Sequence, residues 1–118
     1  MNWTPDRMLL RLDGDTELAT QLAAIFIDEC PRMLERLRGA VASGSADEVR
    51  RAAHALKGSA SNFVDDGPTA TAFELETMGR NGQLDGTPAV LDRLEREIVA
   101  LTVYLQDFQL GGRGLPRV

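Results

Sequence analysis

The chain is poor in the residues that would commit it to a metal, a membrane or a nucleic acid. It holds one cysteine and one histidine among 118 residues. Cys30 can close no disulfide within the chain, which fits a reducing compartment. With no second histidine, and the cysteine in another segment's apolar stripe, a zinc site would lack ligands, so no bound metal or cofactor is expected. Aromatic residues are scarce: one tryptophan, one tyrosine and four phenylalanines. That suits aliphatic side chains in packed helices better than a β-sandwich. No apolar run approaches the roughly 20 residues that span a bilayer. The opening Met1-Asn-Trp-Thr-Pro-Asp6 has neither the basic start nor the apolar stretch of a secretion signal. We therefore expect no membrane insertion and a cytoplasmic location. A formal net charge of −5 disfavours nucleic acid, whose phosphates demand a basic footprint. No Gly-x-Ser-x-Gly turn is present to support a hydrolytic triad.

What is present reads as a single helical domain. At 12.9 kDa, with 43% hydrophobic and 26% charged residues, the chain can bury roughly two-thirds of its unfolded surface. Thr4-Pro5 reads as an N-cap followed by proline at the first helical position, opening a short helix that Asp13-Gly14 closes. Asp15 or Thr16 then caps a long helix ending near Gly44. Its apolar residues Leu18, Leu22, Phe26, Cys30, Met33, Leu37 and Val41 predict one buried stripe, with a local kink at Pro31. Ser45-Ala-Asp-Glu48 is a capping-box pattern and opens a helix running to about Phe63. Asp65-Asp66-Gly67-Pro68 turns the chain into a helix that ends between Gly79 and Gly82. Thr87-Pro88 opens the last one, with Leu91, Leu94, Ile98, Leu101, Leu105 and Phe108 on one face. The expected fold is all-α: an antiparallel up-down four-helix bundle over residues 1–109, with a short extra N-terminal helix as a lid. Residues 110–118, lacking periodicity, are expected to be a flexible tail.

His54 is the residue to explain. At about 100° per residue, Val49, Ala52, Leu56, Ala60 and Phe63 fall roughly 160–240° from it. Arg50, Lys57, Gly58 and Ser61 lie within roughly 60° of it. One face is thus buried, and the other presents an imidazole beside cations and residues with almost no side chain. Gly58 is telling, because glycine inside a helix costs about 1 kcal/mol relative to alanine. One turn beyond His54, it leaves room for a docking partner. Ser61 keeps the same approach open and could hydrogen-bond that partner. Arg50 and Arg51 either assist it or form exposed pairs with Asp47 or Glu48, worth little.

The run His54-Ala-Leu-Lys57-Gly58-Ser, with Leu75-Glu76-Thr-Met-Gly79-Arg80 after it, resembles the histidine-containing phosphotransfer (HPt) domain of bacterial multistep phosphorelays. Leu10-Arg-Leu-Asp-Gly14-Asp-Thr-Glu-Leu18 and Phe26-Ile-Asp-Glu-Cys-Pro31 are similar to the lead-in of such domains, so the resemblance covers roughly residues 5–108. It implies that His54 is the phosphoacceptor, through Nε2, and that Lys57 neutralises part of the phosphoryl charge. Arg50, Arg51, Gly58 and Ser61 would belong to the partner surface, together with exposed residues of the long helix. It implies response-regulator receiver domains and a hybrid sensor histidine kinase as partners, the receiver bringing Mg²⁺. It further implies a phosphotransfer protein without independent turnover or kinase activity, and a monomer is expected. Leu75, Glu76, Gly79 and Arg80 read as architectural, with Arg80 in surface pairing. The alternative is a non-catalytic helical adaptor of the same fold that binds receiver or kinase partners. A dimerising sensor-kinase helix pair would need an ATP-binding domain that this length does not accommodate. The chain departs from the family pattern at Val64, where glycine is common, and at Pro68 and Thr71, where leucines are, so a differently built turn is expected there.

Overall fold

The computed structural model describes residues 3–109, and its first three helices each begin with a side chain that accepts one of the free amides of the first turn. Helix α1 spans Pro5–Arg11, with Thr4 Oγ1 accepting the Arg7 N–H at 3.3 Å. Helix α2 spans Thr16–Ser43, where Asp15 accepts the Leu18 N–H at 2.9 Å. It ends on Gly44 at φ 71°, a left-handed conformation that glycine adopts without strain. Helix α3 spans Ala46–Ala60, capped by Ser45 Oγ accepting from Glu48 N–H at 3.3 Å. The return half of the capping box is not made, because the Glu48 carboxylate pairs with Arg36 of α2 at 2.7 Å. Helices α4, Pro68–Arg80, and α5, Thr87–Asp107, complete the chain as described.

These helices form the expected all-α bundle. Helix α3 lies between α2 and α4, and α5 closes the ring against α4 and α2. The 28 residues of α2 run through Pro31 without interruption. Pro31 faces solvent, so water can satisfy the carbonyl that proline leaves unbonded.

The core follows the predicted faces on α3 and α5. Val49, Ala52, Leu56, Ala60 and Phe63 are all buried, as are Leu91, Leu94, Ile98, Leu101, Leu105 and Phe108. The stripe predicted for α2 needs correction. The buried line runs through Ala19, Ala23, Phe26, Cys30, Leu34, Leu37 and Ala40. Leu22, Met33 and Val41 flank it, half-covered, and Leu18 is 39% exposed. Following the largest apolar residues overlooked the alanines, whose small side chains let neighbouring helices approach. The end of α3 is also earlier than predicted: the helix stops at Ala60, and 61–63 form a turn. Gly67 at φ 55° then makes the sharp corner before Pro68, while Val64, Pro68 and Thr71, the positions that depart from the pattern, are all buried. The predicted tail, 110–118, lies outside the described residues.

Helix α1 covers one end of the bundle, with Met8 fully buried beneath it. Trp3 Nε1 donates to Asp66 at 2.7 Å and the indole meets the Tyr104 ring edge-on at 5.9 Å. Arg11 pairs with Asp65, and its Nε donates to the Ser61 carbonyl at 3.0 Å.

The register between α3 and α4 sets the site. A Cβ at Gly79 would stand 2.7 Å from both Ala46 O and Arg50 N, and 3.0 Å from Arg50 Cα. The two backbones therefore touch there. Because the helices are antiparallel, one turn forward on α3 from Arg50 meets one turn back on α4 from Gly79. That step brings His54 opposite Glu76.

Candidate functional site

The His54 side chain is 65% exposed, while that of Glu76 is only 5% exposed. His54 Nδ1 lies 3.0 Å from Glu76 Oε2. Lys57 Nζ stands 2.7 Å from the other oxygen, Oε1. Arg80, one turn on from Glu76, places Nη2 3.0 Å from Oε2. One buried carboxylate therefore gathers three nitrogen bases from two helices.

Burial works to raise the Glu76 carboxyl above its ordinary value. The hydrogen bonds and charges of Lys57 and His54 outweigh it and hold the group below the usual carboxylate range. Glu76 is therefore ionised at neutral pH and can only accept a hydrogen bond. His54 Nδ1 is then the donor in that contact, and in the neutral ring Nε2, on the far side, holds the lone pair. A neutral imidazole with an outward lone pair is a nucleophile, and its orientation is fixed from behind.

The residues that sequence reasoning named divide into three groups. His54 and Gly58 stand on the open face, and a Cβ at Gly58 would meet nothing within 4 Å. Lys57 is beside His54, but its ammonium is turned onto Glu76 and over the Phe73 ring, 5.0 Å from the centroid. Arg50, Arg51 and Ser61 are engaged locally. Asp47 takes Arg50 at 2.8 Å and Arg51 at 2.9 Å, the exposed pairing that was the plainer alternative. The Ser61 hydroxyl donates to the Gly58 carbonyl at 2.8 Å, so its hydrogen is already spent within the helix.

Two residues escaped the sequence reading. Glu76 was read as architectural, yet its carboxylate is the hub of the site. Phe73, 51% exposed, flanks it from α4. The available signal for Glu76 was an acid next to Leu75 on a predicted core face, where an ionised side chain needs partners. Among the described residues, no group of three or more His, Cys, Asp or Glu stands together as a metal site would require. None of the described helices is long and apolar enough to cross a membrane.

The Hpt domain model matches residues 21–103. The crystal structure of histidine-containing phosphotransfer protein B (HptB) from Pseudomonas aeruginosa PAO1 is similar to this chain at a TM-score of 0.80 and 28% identity, covering 90% of this chain and 93% of that one. No curated protein matches the chain significantly.

Proposed function

The chain belongs to the Hpt domain family and is a phosphorelay histidine phosphotransfer intermediate; from that premise we propose that His54 is its phosphoacceptor, taking the group from an aspartate of one receiver domain and passing it to another. Members of this family interact with receiver domains and kinases. The single observation that carries the assignment is the ring geometry: an exposed imidazole whose Nδ1 is occupied by an ionised, buried carboxylate.

In the loading step, Nε2 attacks the phosphorus of the partner's aspartyl phosphate in line. The N–P bond forms as the P–O bond breaks, and the aspartate carboxylate leaves with the electron pair. Glu76 holds the ring at the angle that aims Nε2 outward, so less orientation must be found at the moment of reaction. Lys57 lies one turn from Nε2 on a flexible four-carbon stem and can turn to the phosphoryl oxygens. Mg²⁺ stays with the receiver's own carboxylates and supplies charge neutralisation there, and this chain adds no turnover of its own.

The docking surface centres on His54 and Gly58, with Arg50, Arg51 and Ser61 around them. It continues across α2, where Leu22, Ile25 and Met33 line a groove with Ser59 and Asn62. Ile25 is 58% exposed, an apolar contact for a partner helix. The cognate kinase is of the hybrid type, and the protein works as a monomer in the cytoplasm.

The test is phosphoryl transfer from a radiolabelled receiver domain of the same organism in the presence of Mg²⁺. We expect acid-labile label on the wild-type chain and none on His54→Gln, whose fold should be intact because the ring is exposed. Undiminished label on His54→Gln, or no label with any receiver, would overturn the assignment and favour the adaptor reading.

A further inference from the structure

Phe73 stands beside the phosphoacceptor with half of its ring open to solvent, so it adds little to the core. We propose that Phe73 is a positioning residue for the transfer: its ring is the seat on which Lys57 passes between Glu76 and the phosphoryl group without returning to water. This rests on His54 being the phosphoacceptor and on Lys57 meeting its phosphoryl oxygens.

The register of α3 on α4 brings the ring there. Gly79 packs on Arg50, and Glu76 meets His54. One further turn along each helix, in opposite senses, sets Phe73 across from Lys57. The ammonium lies over the ring, 5.0 Å from its centroid, while Nζ stands 2.7 Å from Glu76 Oε1. The Lys57 side chain is therefore held from two sides and is only 27% exposed. Glu74, next to Phe73 in the chain, is turned to Arg93 of α5 and does not compete for Lys57.

The two holds differ in kind. A carboxylate oxygen binds an N–H along a preferred direction, whereas an aromatic face attracts a cation through its quadrupole and accepts no hydrogen bond of fixed direction. The ammonium can thus keep the ring while its three N–H donors change partners. Without the ring, Lys57 on leaving Glu76 becomes a strongly hydrated ammonium on a four-carbon stem. It must then shed that water and give up its rotamer freedom again before it meets the phosphoryl oxygens. The demand falls on the transfer step. As the Nε2–P bond forms and the partner's P–O bond breaks, charge spreads over the three equatorial oxygens, one helical turn from Lys57. Phe73 touches neither the phosphoryl group nor the His54 ring in this scheme, and it acts through Lys57 alone.

The test is single-turnover transfer from a radiolabelled receiver domain with Mg²⁺, at varied receiver concentration. The chains are wild type, Phe73→Leu, Phe73→Tyr, Lys57→Gln and the Phe73→Leu, Lys57→Gln pair. Phe73→Leu keeps apolar bulk but has no aromatic face, and it should fold because the position is half exposed. We expect its maximal transfer rate to fall about three- to fivefold, with the half-saturating receiver concentration unchanged. Phe73→Tyr should transfer like wild type, and Phe73→Leu should cost nothing further once Lys57 is replaced. A Phe73→Leu chain as fast as wild type would overturn the proposal. So would a loss confined to the half-saturating concentration, or one that persists in full beside Lys57→Gln, since either makes Phe73 a docking contact instead. Should Lys57→Gln transfer too slowly to measure, Phe73→Tyr decides: restored transfer upholds the seat, and a rate as slow as that of Phe73→Leu refutes it. Label that survives His54→Gln would overturn the phosphoacceptor assignment instead, as would no label on wild type.

Discussion

Replacing Gly79 by alanine adds one methyl group at the point where α3 and α4 touch backbone to backbone. The new Cβ would lie 2.7 Å from Ala46 O and from Arg50 N, well inside ordinary contact. Neither atom is the tip of a flexible side chain, so the helices themselves must part. Overpacking of this kind costs about 1–3 kcal/mol, against which alanine in a helix interior regains about 1 kcal/mol over glycine. Because both contacts are to backbone, the cost belongs at the upper end of that range, and we expect a net loss of about 1–2 kcal/mol. Gly58→Ala is the matched control, the same change inside a helix with nothing within 4 Å. It should be neutral or stabilising by up to about 1 kcal/mol. Urea denaturation followed by circular dichroism separates the two as midpoints moving in opposite directions. The parting of α3 from α4 should also lengthen the His54–Glu76 contact, visible as a changed ring ¹⁵N signal in the variant. A Gly79→Ala chain as stable as wild type would refute the reasoning, because the register that brings Glu76 to His54 would then not depend on that contact.

Two further outcomes follow from the same geometry. Because Glu76 is held below its ordinary value in the folded chain, its ionisation contributes stability above the unfolded carboxylate value of about 4.3, lost as pH falls through the folded one; Glu76→Gln should therefore cost about 1–2 kcal/mol near pH 7 and less near pH 3 by denaturant titration, the partners being partly exposed. Gly58→Arg should leave the denaturation midpoint within about 0.5 kcal/mol of wild type or raise it, yet slow transfer from a phosphorylated receiver at least about tenfold; an unchanged transfer rate would remove Gly58 from the docking surface.

The fold was legible because its signals are local. Thr4, Asp15 and Ser45 cap helices where their residue types said they would, and the periodic leucines of α5 are buried without exception. The miss on α2 has a definite cause. Apolar size and periodicity do not distinguish a residue in the seam from one beside it, and Ala19, Ala23 and Ala40 fill the seam because little space is left between close helices. Gly79 belongs to the same class. As a glycine near a helix end it reads as a terminator, whereas its close approach to Ala46 and Arg50 exists only once two helices pack.

The site was legible only on its own helix. His54, Lys57 and Gly58 sit within one turn of each other, and their relation follows from 3.6 residues per turn. Glu76 is 22 residues away, and no periodicity connects it to His54. Its burial follows from its neighbours: Leu75 and Gly79 are buried on the same helix, and the carboxylate is carried with them against α3. An acid placed there has to be neutralised or paired. The chain pairs it with His54, Lys57 and Arg80, and the pairing that removes the cost of burial also orients the nucleophile. The requirement that Glu76 be charge-balanced in the folded core and the requirement that Nε2 be aimed outward are thus met by one set of contacts. A change that relieves one disturbs the other, which makes stability and transfer chemistry inseparable at this residue while Gly58, on the open face, keeps them apart.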